Sequence, residues 1–225
     1  MLEATLPLLE ELGDRFGEAQ VYSLLGNYFA DQNELEQSLR YYDQSVEIYR
    51  ELGTAGHVMK TLGNMGTVYH LSGDFDQAAR LYQESLAVSR RLGDRLEMVY
   101  TLSNLGELAY DNLDEAAARQ YLLEGLGYAV DLKVNGRIAY LLFWLGLLCS
   151  EGMSRPLYVA ICLFTADHPA LPRYDQKFLQ ETLAGQEIVA GVRPEAESLA
   201  KELDLEKGIA LFLPQEDLGC KGGIA

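Results

Sequence analysis

The sequence predicts an all-α fold, a solenoid of helical hairpins, and three observations support this prediction. Glycines recur every 40 residues, three other positions keep the same interval, and the apolar residues within each interval have helical spacing. The recurring glycines are Gly26, Gly66, Gly106 and Gly146. A fixed interval of this size is typical of proteins built from stacked structural repeats.

Each interval is predicted to form two helices, and residues 57–92 show this most clearly. Leu62 and Tyr69 lie on one face of the first helix, together with the apolar residues between them. Asp74 follows a Ser-Gly break and is suited to cap the second helix, which Gly93 ends. A glycine inside a helix costs about 1 kcal/mol relative to alanine. We therefore interpret the recurring glycines as points where two helices cross closely.

The same pattern divides the chain into segments from beginning to end. Residues 1–13 correspond to the second helix of a hairpin whose first helix is missing. Two explanations stay open for this half hairpin: the chain is the C-terminal part of a longer protein, or it pairs with a second copy. The predicted segments are a solenoid over 1–166, made of the half hairpin 1–13 and hairpins at about 17–52, 57–92, 97–132 and 137–166, followed by capping helices over 167–213 and a flexible tail over 214–225.

The repeating unit resembles a tetratricopeptide repeat, whose pattern is W-x2-L-G-x2-Y followed by A-x3-F. The chain has Leu62-x2-Met65-Gly66-x2-Tyr69 and then Ala78-x3-Tyr82. The common form of this repeat is 34 residues long and ends in proline, whereas this unit is 40 residues long and has arginine there. It is similar to the 40-residue variety of kinesin light chains and bacterial signalling regulators. The resemblance implies a right-handed α-solenoid.

The sequence after residue 166 departs from the repeat. It resembles the C-terminus of large bacterial regulators of the LuxR type and of related signalling ATPases. Those proteins often end in 40-residue repeats, a pair of helices and a short capped segment like residues 203–211, LDLEKGIAL. Their nucleotide-binding and DNA-binding parts lie outside this chain, so the resemblance implies neither activity here.

Charge and composition exclude several classes of function. The net charge of −16 opposes binding to nucleic acids and to anionic membranes, which both select Lys and Arg. The most apolar run, 138–149, is shorter than the roughly 20 residues that span a bilayer. The three cysteines, Cys149, Cys162 and Cys220, include no C-x-x-C pair. We therefore predict a cytoplasmic protein without disulfides.

We find no constellation of residues for catalysis. The three histidines lack metal-ligand spacing. Gly125-x-Gly127 lacks the third glycine of a dinucleotide fingerprint and lies in a predicted helix. Ser198-x-x-Lys201 lacks the companion motifs of the penicillin-binding enzymes. The sequence predicts a protein that is not an enzyme and that holds neither a metal nor a cofactor.

The resemblance implies that the first helices of the hairpins line a concave groove, where a peptide or partner helix docks. In related repeats an asparagine at the place of Asn64 and Asn104 binds the main chain of the ligand. An amide can do so because it both donates and accepts hydrogen bonds. The alternative is that these asparagines bridge neighbouring helices. The predicted groove residues are Asn27, Lys60, Asn64, Thr67, Tyr100, Asn104, Glu107 and Tyr140.

The fourth hairpin carries an almost wholly apolar first helix that includes Trp144. A helix that is apolar all round is usually buried. We therefore expect the C-terminal helices to fold over it and to remove Trp144 from any site.

These observations lead to one main functional hypothesis and two alternatives. The main hypothesis is a non-catalytic scaffold for proteins or peptides, acting as a sensor or adaptor module of a bacterial signalling regulator. The first alternative is a receptor for a small ligand or peptide pheromone, with an enclosed pocket between groove and cap. The second is a structural homo-oligomer, such as a homodimer, assembled through the half hairpin 1–13.

Overall fold

The computed structural model describes residues 2–148, 155–166, 168–171, 173–184 and 193–213. The chain forms two compact units, Met1–Asn104 (the N-terminal unit) and Leu105–Ala225 (the C-terminal unit). Every regular element in the described residues is a helix, and successive helices pack against each other in pairs. The predicted all-α solenoid of helical hairpins is confirmed.

The described helices follow one another with short turns between most of them. A single 3-10 turn, Leu2–Thr5, precedes the first α-helix. The N-terminal unit contains α1 (Leu6–Leu12), α2 (Arg15–Asp31), α3 (Leu35–Glu51), α4 (Ala55–Leu71) and α5 (Phe75–Leu92), and α6 (Arg95–Asp111) contains the boundary between the units. The C-terminal unit continues with α7 (Glu115–Asp131), α8 (Asn135–Leu148), α9 (Arg155–Ala166), α10 (Arg173–Ala184), α11 (Arg193–Ala200) and α12 (Leu205–Phe212).

Aspartates begin several of the helices, because a carboxylate can accept the otherwise unpaired N–H groups of a first turn. Asp74 accepts from the Gln77 N–H at 3.2 Å, and Asp204 accepts from the Lys207 N–H at 2.8 Å. Gly93 ends α5 in the left-handed conformation, with φ of 68°. The predicted caps at Asp74 and Gly93 are therefore confirmed, and Asp204 caps α12 in the segment 203–211.

The hairpins of the N-terminal unit cross closely at the recurring glycines. A Cβ atom added to Gly26 would lie 2.5 Å from the Tyr42 ring, and one added to Gly66 would lie 2.7 Å from the Tyr82 ring. Both distances are far below van der Waals contact, so each glycine permits an approach that alanine would prevent. The structure confirms this interpretation of the repeated glycine.

Buried serines tie the same hairpins together. The Ser45 hydroxyl donates to the carbonyl oxygen of Ala19 at 2.9 Å, and the Ser85 hydroxyl donates to that of Met59 at 3.0 Å. Both serines are fully buried. Each satisfies its polar group across the two helices of its hairpin, which removes the penalty of burying an unpaired hydroxyl.

In the C-terminal unit α8 is the central helix. Helices α7, α9 and α12 all pack against it. Trp144 is only 2% exposed, and its ring centroid lies 5.1 Å from that of Tyr110 and 6.4 Å from that of Phe178 on α10. The prediction that Trp144 is buried beneath C-terminal helices is confirmed.

Some sequence predictions fall where the structure does not describe the chain. The predicted tail 214–225, with Cys220, and residue Cys149 lie outside the described residues. Cys162 lies inside them, and it is a buried core residue of α9. No helix in the described residues is long and apolar enough to cross a membrane.

Candidate partner-binding site

Helices α2 and α4 of the N-terminal unit expose a set of polar side chains, called here the polar face. It consists of Asn27 on α2 and of Lys60, Asn64 and Thr67 on α4, all predicted as groove residues and all exposed. These two helices bury their opposite sides against α3 and α5. The helical period therefore separates a packed side from a polar side, as in any amphipathic helix.

Two asparagines form the centre of the polar face. The Tyr42 hydroxyl donates to Oδ1 of Asn27 at 2.5 Å, and Nδ2 of Asn64 donates to the same oxygen at 3.1 Å. Burial raises the pKa of Tyr42 above its usual range, so its hydroxyl keeps its proton. Within the described part of the chain, Nδ2 of Asn27 and Oδ1 of Asn64 make no hydrogen bond.

The asparagine pair has one of the two roles considered from the sequence, the bridge between helices, and it also stays accessible at the surface. Asn64 does bridge α4 to α2, and both side chains also stay exposed. Because Asn27 Oδ1 receives two donors, the amide planes are held in place. The pair presents one donor group and one acceptor oxygen in fixed positions, as the hydrogen-bonding capacity of an amide allows.

Thr67 lies one period after Asn27 and is also held by the hydroxyl of a tyrosine of its hairpin. The Tyr82 hydroxyl donates to Thr67 Oγ1 at 3.1 Å, as Tyr42 does to Asn27. Thr67 in turn donates to the carbonyl oxygen of Gly63 at 3.3 Å. The inward tyrosine of each hairpin thus positions one side chain of the polar face.

A charged pair lies beside the asparagines in the same unit. Burial raises the pKa of the Glu97 carboxyl, and the nearby positive charge of Lys60 opposes part of this rise.

Tyr100 lies on α6 at the border between half-buried and exposed, and Asn104, also on α6, is half-buried. Six of the eight predicted groove residues therefore belong to the N-terminal unit.

The other two predicted groove residues, Glu107 and Tyr140, belong to the C-terminal unit and contact each other. The Tyr140 hydroxyl donates to Oε2 of Glu107, and the Arg137 guanidinium lies 5.0 Å from the centre of the Tyr140 ring. Burial first, and the Glu107 charge second, raise the pKa of Tyr140 well above its usual range. Tyr140 is buried, so it is a packing residue of α8 and not a surface anchor.

Sequence reasoning did not select Tyr28, whose side chain is exposed on α2. A usable signal was present, because Val21, Leu24 and Tyr28 are three apolar residues on one helical stripe.

Fold and surface together define a helical-repeat protein that displays a polar face on the first helices of its hairpins. Comparison with protein families agrees. Models described as tetratricopeptide repeat match residues 19–52 and 57–128. The first match covers α2 and α3, and the second runs from α4 into α7. These two segments are therefore similar to tetratricopeptide repeats. No curated protein gives a significant match to it.

Proposed function

We propose that the protein is a non-catalytic interaction scaffold whose polar face binds an extended segment of a partner protein. Tetratricopeptide repeats are scaffolds for protein–protein interaction, and two matched segments support that general role here. The observation that supports the finer proposal is the exposed asparagine pair, Asn27 and Asn64, with its fixed amide orientation.

The pair is suited to recognise main chain more than side chains. Asn64 Oδ1 can accept from a peptide N–H, while Asn27 Nδ2 can donate to a peptide carbonyl. An extended segment offers both groups whatever its sequence. Because Tyr42 already holds Asn27, little side-chain entropy is lost on binding, and such preorganisation favours affinity.

We further propose a setting for this activity, a sensor or adaptor module of a bacterial signalling regulator in the cytoplasm. The support is the similarity of residues 203–211 to the ends of such regulators. The structure gives this segment a short helix, α12, capped by Asp204 and packed on α8.

Selection of peptides followed by backbone modification tests the proposed binding mode. Linear peptides are selected from a phage-displayed library on the intact chain, and the best one is titrated by fluorescence anisotropy. We expect Asn64→Ala to weaken binding about tenfold, the effect of one lost hydrogen bond of roughly 1.4 kcal/mol. Tyr42→Phe should also weaken peptide binding, because Asn27 then loses the hydroxyl that orients its amide.

The control is Gln83→Ala, an exposed substitution on the second helix α5. It should leave the affinity unchanged. N-methylation of single peptide bonds in the selected peptide should abolish binding at one or two positions, since it removes the main-chain N–H donor there. If Asn64→Ala and Gln83→Ala bind the peptide equally well, the polar face is not the binding site.

A further inference from the structure

Trp144 of the C-terminal unit has a repeat position that is exposed in the N-terminal unit. The equivalent residue there is Asn64, which lies on the polar face, whereas Trp144 is only 2% exposed. The rings that contact Trp144 within the described chain are Tyr110 of α6, Tyr140 and Phe143 of α8, and Phe178 of α10. Of these four, Phe178 is the one that a helix outside the repeat contributes. Trp144 and Tyr110 are called here the aromatic surface.

Helix α10 is attached to the rest of its unit by a narrow apolar contact. It packs against α9, and among its described side chains only Leu179 is buried. Lys177 and Glu181 are exposed and form an ion pair of 3.7 Å within the helix itself. Helix α8, in contrast, is buried without interruption over residues 138–146. A helix with so few buried apolar side chains opens more readily than the core on which it rests.

The buried indole N–H of Trp144 is unsatisfied in this arrangement. Within the part of the chain that the structure describes, Trp144 Nε1 has no hydrogen-bond partner. The hydroxyl of the neighbouring Tyr140 is directed at Glu107, to which it donates. An indole is a donor only, and a buried donor without an acceptor lowers the stability of the packing that buries it. Separation of α10 from Trp144 would admit water or a partner oxygen to this N–H, so the open arrangement gains a hydrogen bond that the closed one lacks.

The contact between Phe178 and Trp144 is the longest of the ring contacts around Trp144. Their ring centroids lie 6.4 Å apart, whereas those of Tyr110 and Phe143 lie 5.1 Å and 5.7 Å from Trp144. Aromatic pairs attract each other at centroid distances of about 4.5–7 Å, so Phe178 is near the outer limit. An aromatic side chain is therefore the group that this surface accepts, and Phe178 does not approach it as closely as Tyr110 does.

We propose that the aromatic surface is a second partner-binding site, which α10 covers and which a partner segment occupies by presenting an aromatic side chain in the place of Phe178. Helix α10 is then an internal competitor of the partner. The apparent affinity is reduced by the fraction of molecules in which α10 is closed. The site lies wholly in the C-terminal unit, so this proposal does not rest on the polar face.

Opening of α10 is measured through Trp144, which is the single tryptophan of the chain. We expect Phe178→Ala to raise the quenching constant of its fluorescence by acrylamide at least about twofold, because α10 then opens without global unfolding. Phe164→Ala is the matched control. Phe164 is a half-buried phenylalanine of α9 in the same unit, and its ring contacts His168 at 5.5 Å. This control should leave the quenching of Trp144 nearly unchanged.

Circular dichroism verifies that each variant of the intact chain is folded. Phe178→Leu is measured alongside Phe178→Ala, because leucine keeps most of the apolar volume and removes the ring. It keeps the test decisive if Phe178→Ala does not fold. Urea unfolding of the unmodified chain gives an independent measurement. We expect the fluorescence of Trp144 to change at lower urea than the circular dichroism does, since α10 opens before the repeats unfold.

A peptide copied from α10, residues Arg173–Ala184, is the probe for the occupant of the site. It contains no tryptophan, so its binding to the intact chain is followed by the emission of Trp144. We expect it to bind the Phe178→Ala chain saturably and to reduce the quenching of Trp144 again. Binding to the unmodified chain should be at least about tenfold weaker, because the chain's own Phe178 competes. The same peptide with Phe178→Ala is the control, and it should bind neither chain.

Three results would overturn the proposal. The first is an equal change in the quenching of Trp144 in Phe178→Ala and in Phe164→Ala. The second is that the α10 peptide does not bind the Phe178→Ala chain, or that it binds no better than the peptide without the ring. The third is a dimeric mass of the unmodified chain by sedimentation that Phe178→Ala converts to a monomer. That result would assign the aromatic surface to α10 of a second copy of the chain.

Discussion

The two units use the same repeat positions for opposite purposes. Asn64 on α4 and Trp144 on α8 occupy one position of the repeat, two periods apart. Asn64 is exposed and bonded to Asn27, whereas Trp144 is buried among aromatic rings. Lys60 and Tyr140 differ in the same way, exposed in one unit and buried in the other. A repeat position therefore fixes the direction in which a side chain points. Whether that side chain is exposed depends on the helices that pack over it.

Replacing the side chain at this shared position by alanine should give the largest difference in unfolding free energy between a variant of one unit and a variant of the other. We expect Trp144→Ala to lower the free energy of unfolding by about 3–5 kcal/mol, because it leaves a large cavity in the packed core. Asn64→Ala should lower it by less than about 1 kcal/mol, since the side chain is exposed. Urea unfolding followed by circular dichroism measures both, because Trp144 is the single tryptophan and fluorescence would be lost. Equal losses in the two variants would contradict the comparison.

Two glycine substitutions test the close approach of helices. Gly66→Ala should lower the free energy of unfolding by about 1–3 kcal/mol, because the new methyl group would lie 2.7 Å from the Tyr82 ring. Gly127→Ala is the control, a mid-helix glycine of α7 with no atom within 4 Å of an added Cβ. It should raise stability by up to about 1 kcal/mol through helix propensity. The prediction fails if the two substitutions shift the urea midpoint in the same direction.

Local features were predictable from the sequence because they depend on a few neighbouring residues. The close crossings at Gly26 and Gly66 and the cap at Asp74 follow from spacing within one hairpin. The burial of Trp144 was also predictable, because its helix is apolar on every side. In each case the sequence signal lies within one repeat or one helix.

The placement of Tyr140 was not predictable from its repeat position alone. That position has Lys60 on an exposed surface, so periodicity placed Tyr140 in the groove. Its burial depends on Glu107 of α6 and on the packing around α8, to which the non-repeat helix α12 contributes. The sequence also left two roles open for Asn64. Only the coordinates show that one amide can bridge two helices and stay exposed.

Buried serine hydroxyls that join the two helices of a hairpin in the N-terminal unit should have an intermediate effect on the free energy of unfolding. Ser45 and Ser85 occupy a position at which the C-terminal unit has Gly125, also buried. Ser45→Ala removes the bond to the Ala19 carbonyl, and we expect a loss of about 1 kcal/mol of unfolding free energy. Gln83→Ala, exposed on α5, should change it by less than about 0.5 kcal/mol. An unchanged urea midpoint for Ser45→Ala would show that this hydrogen bond does not stabilise the hairpin.

The smallest expected effect concerns Glu97, which lies beside Lys60 in the N-terminal unit. Burial raises the pKa of the Glu97 carboxyl, so folding favours its neutral form. The associated stability is present below the unfolded-state pKa and is lost as pH rises through the higher folded-state pKa. Glu97→Gln removes this cost at neutral pH, and we expect it to raise Tm by about 1–2 °C. The gain should shrink as pH falls from about 7 to 4, where the carboxyl becomes protonated in both states. Thermal melts of Glu97→Gln and of the exposed control Glu47→Gln across this range measure the effect. If the Tm difference between Glu97→Gln and the unmodified protein became more positive on acidification, Glu97 would stabilise the fold as a charged partner of Lys60. Lys60 would then serve the stability of the fold through an ion pair more than it serves the polar face as a binding residue.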